Sequence, residues 1–169
     1  MSDALDAAAI IDRFGLDPLP VEGGFVRRYW PGSDDSTPQA GSAILFLVTD
    51  APEGFSQFHR LTIDEVWHRY LGDPAELVLL EPGAPSRRVL LGGDVAAGHV
   101  PVCVVAAGTW MACRTIGRWS LLGTTMAPGF TPDCYEDADR EHLLEAWPDD
   151  RAAILALTRA GSPNDPGPG

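Results

Sequence analysis

The stretch GFSQFHRLTIDEVWHRYLG, residues 54–72, decides the fold and holds the candidate chemistry. Read with the two-residue period of a β-strand, it divides into two faces. One face is mostly apolar and carries His59, Leu61, Ile63, Glu65 and Trp67. The other face is more polar and includes His68. The apolar face predicts a strand pair that faces the core and buries the imidazole of His59 and the carboxyl of Glu65. Burying such groups costs free energy, so we expect them either to be paired or to have a functional role.

Outward from this stretch, the chain alternates short apolar runs with turns rich in glycine and proline. The run AILFLVT, residues 43–49, is apolar on both faces, which is typical of a strand covered on two sides. Further strands are predicted over residues 25–30, 75–81, 86–91, 100–106, 109–115 and 119–126. About eight or nine short strands, with turn signals between them, favour a β-sandwich or barrel.

Helical patterns flank the strands. Residues 3–14 predict a helix that ends at Gly15, and Asp139 offers an N-cap for a helix over residues 140–146. A second C-terminal helix is predicted from Pro148 to Thr158. The sequence therefore predicts one domain over residues 1–159, all-β with one N-terminal and two C-terminal helices outside, followed by a disordered tail over residues 160–169.

The amino-acid composition argues against several classes of function. The net charge of −12 argues against binding of nucleic acid or of an anionic membrane surface. The chain contains no lysine, so Schiff-base chemistry has no nucleophile, and its three cysteines form no CxxC pair. No hydrophobic run approaches a membrane span and the N-terminal residues are acidic, so we expect a cytoplasmic protein without a membrane partner.

The central stretch resembles the first motif of the cupin superfamily, which reads Gly, His-x-His, Glu and Gly at fixed spacing. Here His59 stands in the first His position, Leu61 in the second, Glu65 in the Glu position and Gly72 in the last. In the second cupin motif, the histidine position is taken by Met111.

The match is closer with one cupin branch catalogued as a domain of unknown function. It rests on phrases that occur in family order between residues 10 and 158: EGGF (22–25), FHR (58–60), DEVWH (64–68), YLGDP (70–74), AGTW (107–110) and APGF (127–130). The resemblance implies a double-stranded β-helix, or jelly-roll barrel, and a homodimer. It also implies likeness to the dTDP-sugar epimerases, which are cupin-shaped and work without a metal.

Cupin metal sites hold an ion with three histidines and one glutamate, and only His59 and Glu65 remain of that set. Leu61 cannot ligate, and the Met111 thioether suits copper better than iron, manganese or zinc. We therefore expect no tightly held metal and no other cofactor. The alternative is a weakly bound divalent metal held by His59, Glu65 and His68, in an oxygenase or lyase. Strand parity turns His68 to the other face, although a β-bulge would reverse that.

The leading hypothesis is an enzyme of isomerase or epimerase type that moves a proton in a small polar molecule, a sugar or an organic acid. His59 is the candidate base, and Glu65 either orients it or acts as the acid. The other hypothesis from a different class is a non-catalytic cupin that only binds a small ligand.

Four further residues are substrate-binding candidates. Arg27 could clamp a carboxylate or phosphate at the barrel mouth, or could be an ordinary surface arginine. Trp67 belongs to an aromatic wall or to the core. His68 contacts the ligand, or else a loop or a partner chain. Met111 is expected to point inward and form an apolar floor.

Overall fold

The computed structural model describes residues 5–30 and 39–159, so the predicted tail over residues 160–169 lies outside the described residues. Three α-helices flank the strands: α1 (Ala7–Phe14), α2 (Arg140–Ala146) and α3 (Arg151–Ala156). The described strands are β1 (Asp17–Pro18), β2 (Phe25–Trp30), β3 (Ser42–Thr49), β4 (Ser56–Leu61), β5 (Glu65–Gly72), β6 (Ala75–Leu80), β7 (Arg87–Leu91), β8 (Val102–Val105), β9 (Trp110–Thr115), β10 (Trp119–Met126) and β11 (Tyr135–Asp137).

The strands form two antiparallel sheets. The order is β1-β2-β3-β10-β5-β8 in the six-stranded sheet and β11-β4-β9-β6-β7 in the five-stranded sheet. The predicted all-β jelly roll with one N-terminal and two C-terminal helices is confirmed. The structure contains more strands than the sequence predicted, because β1 and β11 are too short to show a periodic pattern.

The main core lies between the two sheets. Phe46 and Trp67 project into it from the six-stranded sheet, where their rings meet edge to face with centroids 6.0 Å apart. Leu77, Leu79 and Met111 fill it from the five-stranded sheet. Residues of both sheets also line a cavity.

The helices cover the outer faces of both sheets. On the six-stranded sheet, Ile10 of α1 packs against Leu47 and Leu121. On the five-stranded sheet, Leu143 of α2 and Ile154 of α3 lie in one buried cluster with strand residues. The double cover explains why β3 reads as a continuous apolar run. Among the described residues, no helix has the length and apolarity needed to cross a bilayer.

The expectation that residues 54–72 form one strand pair is wrong. Strand β4 belongs to the five-stranded sheet and β5 to the six-stranded sheet, so residues 62–64 form a corner between sheets. The alternation of faces nevertheless continues across the corner. His59 and Glu65 therefore enter the same interior space from opposite sheets.

Candidate functional site

A cavity of about 360 Å³ opens between the two sheets. Its described lining is mostly apolar, with a few polar groups. The lining residues come from both sheets and from the segments at the cavity rim: Leu19, Val21, Glu22, Val26, Arg28, Ser42, Ile44, His59, Leu61, Glu65, Thr124, Met126, Phe130, Pro132 and Tyr135.

His59, on β4, is held in one orientation. Its side chain is only 2% exposed, and Nδ1 lies 2.8 Å from the backbone carbonyl oxygen of Gln57. A carbonyl oxygen can only accept, so Nδ1 carries the hydrogen and the neutral ring keeps a free lone pair on Nε2. The Gln57 carbonyl, rather than Glu65, thus orients the imidazole. This leaves Nε2 as the basic atom of the site.

Glu65, the first residue of β5, is buried, and its Oε2 has no hydrogen-bond partner among the described residues. Burial raises the pKa of Glu65 from 4.5 to about 7. His59 opposes that rise, whereas the charge of Glu22 adds to it; Thr124 and Trp67 lower the pKa by smaller amounts. Near neutral pH this carboxyl is divided between its two protonation states, which suits a group that gives and takes a proton.

Glu22 is a third ionisable group in the cavity, and it was not among the predicted site residues. Its Oε1 accepts a hydrogen bond from Ser56 Oγ at 2.7 Å and lies 4.0 Å from His59 Nε2. The backbone N–H of Gln57 donates to the backbone carbonyl oxygen of Glu22 at 2.8 Å, and this bond connects the turn at residues 22–24 to β4. The Glu-Gly-Gly phrase at residues 22–24 was the available signal, but sequence reasoning did not separate a pocket role from a structural one.

Tyr135 was missed because β11 is so short. Its ring stacks on His59 with centroids 5.2 Å apart, and its hydroxyl donates to Asp137 Oδ1 at 2.8 Å. Asp137 Oδ1 also accepts from Gln57 Nε2 at 3.0 Å. Burial, together with the charge of Glu22, raises the pKa of Tyr135. The phenol therefore keeps its proton and serves to position the imidazole.

Arg27 does not line the cavity, so of its two interpretations the surface arginine describes it and the clamp at the barrel mouth does not. It lies on the outer face of β2, where it donates to the Phe14 carbonyl oxygen at 2.9 Å, at the end of α1. Its guanidinium also lies 5.6 Å from the ring centroid of Tyr29. Strand alternation instead brings Arg28 into the lining, beside the ring of Phe130.

The other three binding candidates also lie outside the lining. Trp67 is 1% exposed and packs in the core, as its alternative interpretation held. Met111 points inward, opposite His59 in the β4–β9 register, and is packed in the same core. His68 lies on the outer face, where its Nε2 is 2.9 Å from Thr125 Oγ1. No β-bulge turns it toward Glu65.

The residues present do not fit the metal site of three histidines and one glutamate. Leu61 lines the cavity with a side chain that cannot ligate, and the Met111 side chain is buried in the core beside it without lining the cavity. His68 does not join His59 and Glu65. In the described part of the chain, no group of three or more His, Cys, Asp and Glu side chains is arranged to hold an ion.

Comparison with known proteins identifies relatives of the chain. The family model described as "Cupin superfamily (DUF985)" matches residues 8–138. A structural-genomics protein from Shewanella oneidensis is 32% identical with a TM-score of 0.83, and the match covers 92% of this chain and 99% of that one. A hypothetical protein from Leishmania major is 27% identical with a TM-score of 0.80, covering 91% and 99%.

A more distant likeness shows the fold alone. Oxalate decarboxylase from Bacillus subtilis is 11% identical with a TM-score of 0.54, and the match covers 90% of this chain and 40% of that one. No curated protein matches the chain.

Proposed function

The chain belongs to the DUF985 family of the cupin superfamily, and on that premise we propose that it is a proton-transfer enzyme of isomerase or epimerase type. Its substrate is a small polar molecule of the sugar or organic acid class, bound in the interior cavity. The observation that carries the proposal is that the buried Glu65 carboxyl, whose pKa burial raises to about 7, lines one cavity with His59, whose Nδ1 is bonded to the Gln57 carbonyl.

In a keto–enol shift, His59 acts as the base at carbon and Glu65 exchanges protons with the oxygens. His59 Nε2 removes the proton from a carbon next to a carbonyl, and the electron pair of that C–H bond forms the enediol double bond. The carbonyl oxygen takes the proton of Glu65. The Glu65 carboxylate then accepts the proton of the neighbouring hydroxyl, while the imidazolium returns its proton to the former carbonyl carbon. Both side chains end in their starting states, so no cosubstrate is consumed.

The surroundings support this chemistry. The cavity lies near the lower end of the roughly 300–1,000 Å³ typical of small-molecule sites, which suits a compact substrate. Apolar side chains such as Leu61 and Met126 limit water around the reacting atoms. Arg28 supplies the one guanidinium among the described lining residues, and it suits a carboxylate or phosphate of the substrate.

Hydrogen–deuterium exchange tests the proposal. The protein is incubated in D₂O with a panel of sugars and keto acids, and loss of carbon-bound proton signals is followed by ¹H NMR. We expect catalysed exchange with at least one compound, and its loss in His59→Gln and Glu65→Gln. Glu136→Gln, a half-exposed carboxyl paired with Arg60, is the matched control. A wild-type protein that binds compounds in the cavity but exchanges none would instead be a non-catalytic binder.

A further inference from the structure

The polar end of the cavity contains acceptors that face one another. Glu22 Oε1 and His59 Nε2 lie 4.0 Å apart, too far for a direct hydrogen bond. Nε2 has no hydrogen in the neutral ring, because Nδ1–H is directed at the Gln57 carbonyl. As a carboxylate, Glu22 only accepts. Neither atom can therefore satisfy the other while the imidazole is neutral.

Two donors close to these acceptors are already engaged. The Ser56 hydroxyl donates to Glu22, and the Tyr135 hydroxyl donates to Asp137. A carboxylate has about four lone-pair sites, so the Ser56 bond leaves most of the Glu22 capacity unused. Glu65 Oε2 is a further oxygen without a hydrogen-bond partner among the described residues, on a residue only 6% exposed. Buried acceptors left unmatched are costly, so the site is chemically complementary to a donor.

We propose that the ligand of this cavity enters with a group that carries at least two hydrogen-bond donors, a primary ammonium or two adjacent hydroxyls. This group binds between Glu22 Oε1 and His59 Nε2, next to Glu65. Two atoms 4.0 Å apart can both lie at about 2.8 Å from one ammonium nitrogen placed between them, whereas two adjacent hydroxyls donate one hydrogen to each. The carbon skeleton then packs on apolar lining residues such as Val26 and Ile44.

This inference makes Glu22 a ligand-binding residue and defines the head group of the substrate. It rests on the proposed function only in placing the ligand in the same cavity, and it does not require turnover. Binding of a donor head group without proton exchange would support it while overturning catalysis.

Three probes with the same five-membered ring test the head group: cyclopentylamine, cis-1,2-cyclopentanediol and cyclopentanecarboxylate. Binding is followed by long-range ¹H–¹⁵N spectra of the imidazole nitrogens, with His59→Gln assigning the signals of that ring among the four histidines. We expect the amine or the diol to shift the His59 nitrogen signals saturably, and the carboxylate to leave them unchanged. Which of the two binds identifies the head group.

Glu22→Gln is the decisive variant, since the amide can still accept from Ser56 but replaces one acceptor oxygen with a donor. We expect it to weaken the donor probe by about tenfold or more, a loss of roughly 1.4 kcal/mol. Glu136→Gln should leave the affinity unchanged. The inference is overturned if neither donor probe binds, if the carboxylate shifts the His59 nitrogen signals as strongly, or if Glu22→Gln binds the donor probe like the wild type.

Discussion

The ring of Tyr135 lies flat against the imidazole of His59, with 16° between the ring planes and 5.2 Å between the centroids. The Tyr135 hydroxyl is bonded to Asp137, and Asp137 is bonded to the Gln57 side chain. The Gln57 backbone carbonyl in turn fixes His59 Nδ1. A residue of the short strand β11 and a residue of β4 thus hold the candidate base from two directions.

We predict that Tyr135→Phe preserves the orientation of His59, because the stacked ring remains. It should reduce the free energy of unfolding by about 1 kcal/mol through loss of the bond to Asp137. Tyr135→Ala removes the ring as well and should cost roughly 3 kcal/mol. Urea unfolding measures both losses, and ¹⁵N shifts of His59 report its orientation. Equal ¹⁵N changes in the two variants would contradict a positioning role for the ring.

The buried Glu65 carboxyl makes stability depend on pH. Its pKa is 4.5 in the unfolded chain and about 7 in the folded chain, so between these values the folded state binds more protons. Its contribution to stability is fully present below pH 4.5 and is lost as the pH rises through 7. Glu65→Gln removes this dependence, so the variant should gain roughly 3 kcal/mol relative to the wild type between pH 4.5 and pH 7.5.

Urea unfolding of wild type and Glu65→Gln at several pH values checks this, with Glu136→Gln as the exposed control. A constant stability difference across the range would show that the Glu65 carboxyl ionises as it does in water.

The turn that carries Glu22 requires glycine at position 23. Gly23 has φ +97°, and a Cβ there would clash with the Phe55 carbonyl oxygen and the Arg159 guanidinium. Gly83 has a comparable φ of +79° but nothing within 4 Å of an added Cβ. We expect Gly83→Ala to cost about 1 kcal/mol from backbone strain alone. Gly23→Ala should cost roughly 3 kcal/mol or more and displace Glu22. Thermal unfolding distinguishes them, and equal losses would contradict the steric argument.

Because two ligand positions are missing, we predict weak metal binding by the wild type and tight binding once both histidines are introduced. Elemental analysis of wild type purified without a His-tag and supplemented with manganese, iron, nickel or zinc should give an occupancy near zero. Leu61→His with Met111→His places two imidazoles beside His59, because Leu61 lies on the same face and Met111 is opposite in register. We expect about one ion per chain in this double variant. Stoichiometric metal in the wild type would favour the oxygenase or lyase alternative.

The homodimer implied by the family resemblance has a defined surface to test. Val102, Val104 and Tyr70 are 47%, 56% and 44% exposed on the outer face of β5 and β8. We predict that a second copy covers this face, since exposed apolar clusters of this kind mark association sites. Light scattering should give twice the chain mass, and Val104→Arg should give one chain mass. A monomeric wild type would contradict the prediction.

Local patterns predicted most of the fold. Strand β10 and helix α2 occupy the predicted residues, and Gly15 ends α1 in the left-handed conformation as expected. These features depend on side-chain alternation, capping and turn residues within a few positions of one another. Strand β11 was missed because three residues next to a proline-rich loop show no alternation.

The site was predicted in part. Alternation placed His59 and Glu65 on one face, and both line the cavity. Arg28 rather than Arg27 lines the cavity, because α1 covers the side of β2 that carries Arg27. Glu22 and Tyr135 were not selected, since each reaches His59 from a segment distant in sequence.

The sequence by itself determined the strand pattern, the family, and the loss of two of the four cupin ligand positions. It did so because strand period, turn residues and motif spacing are local properties of the chain. Only the tertiary structure decided that His59 and Glu65 enter from opposite sheets and that Glu22 and Tyr135 join them. Those contacts depend on which strands face each other across the core, and the two-residue period within one strand carries no information about its opposite neighbour.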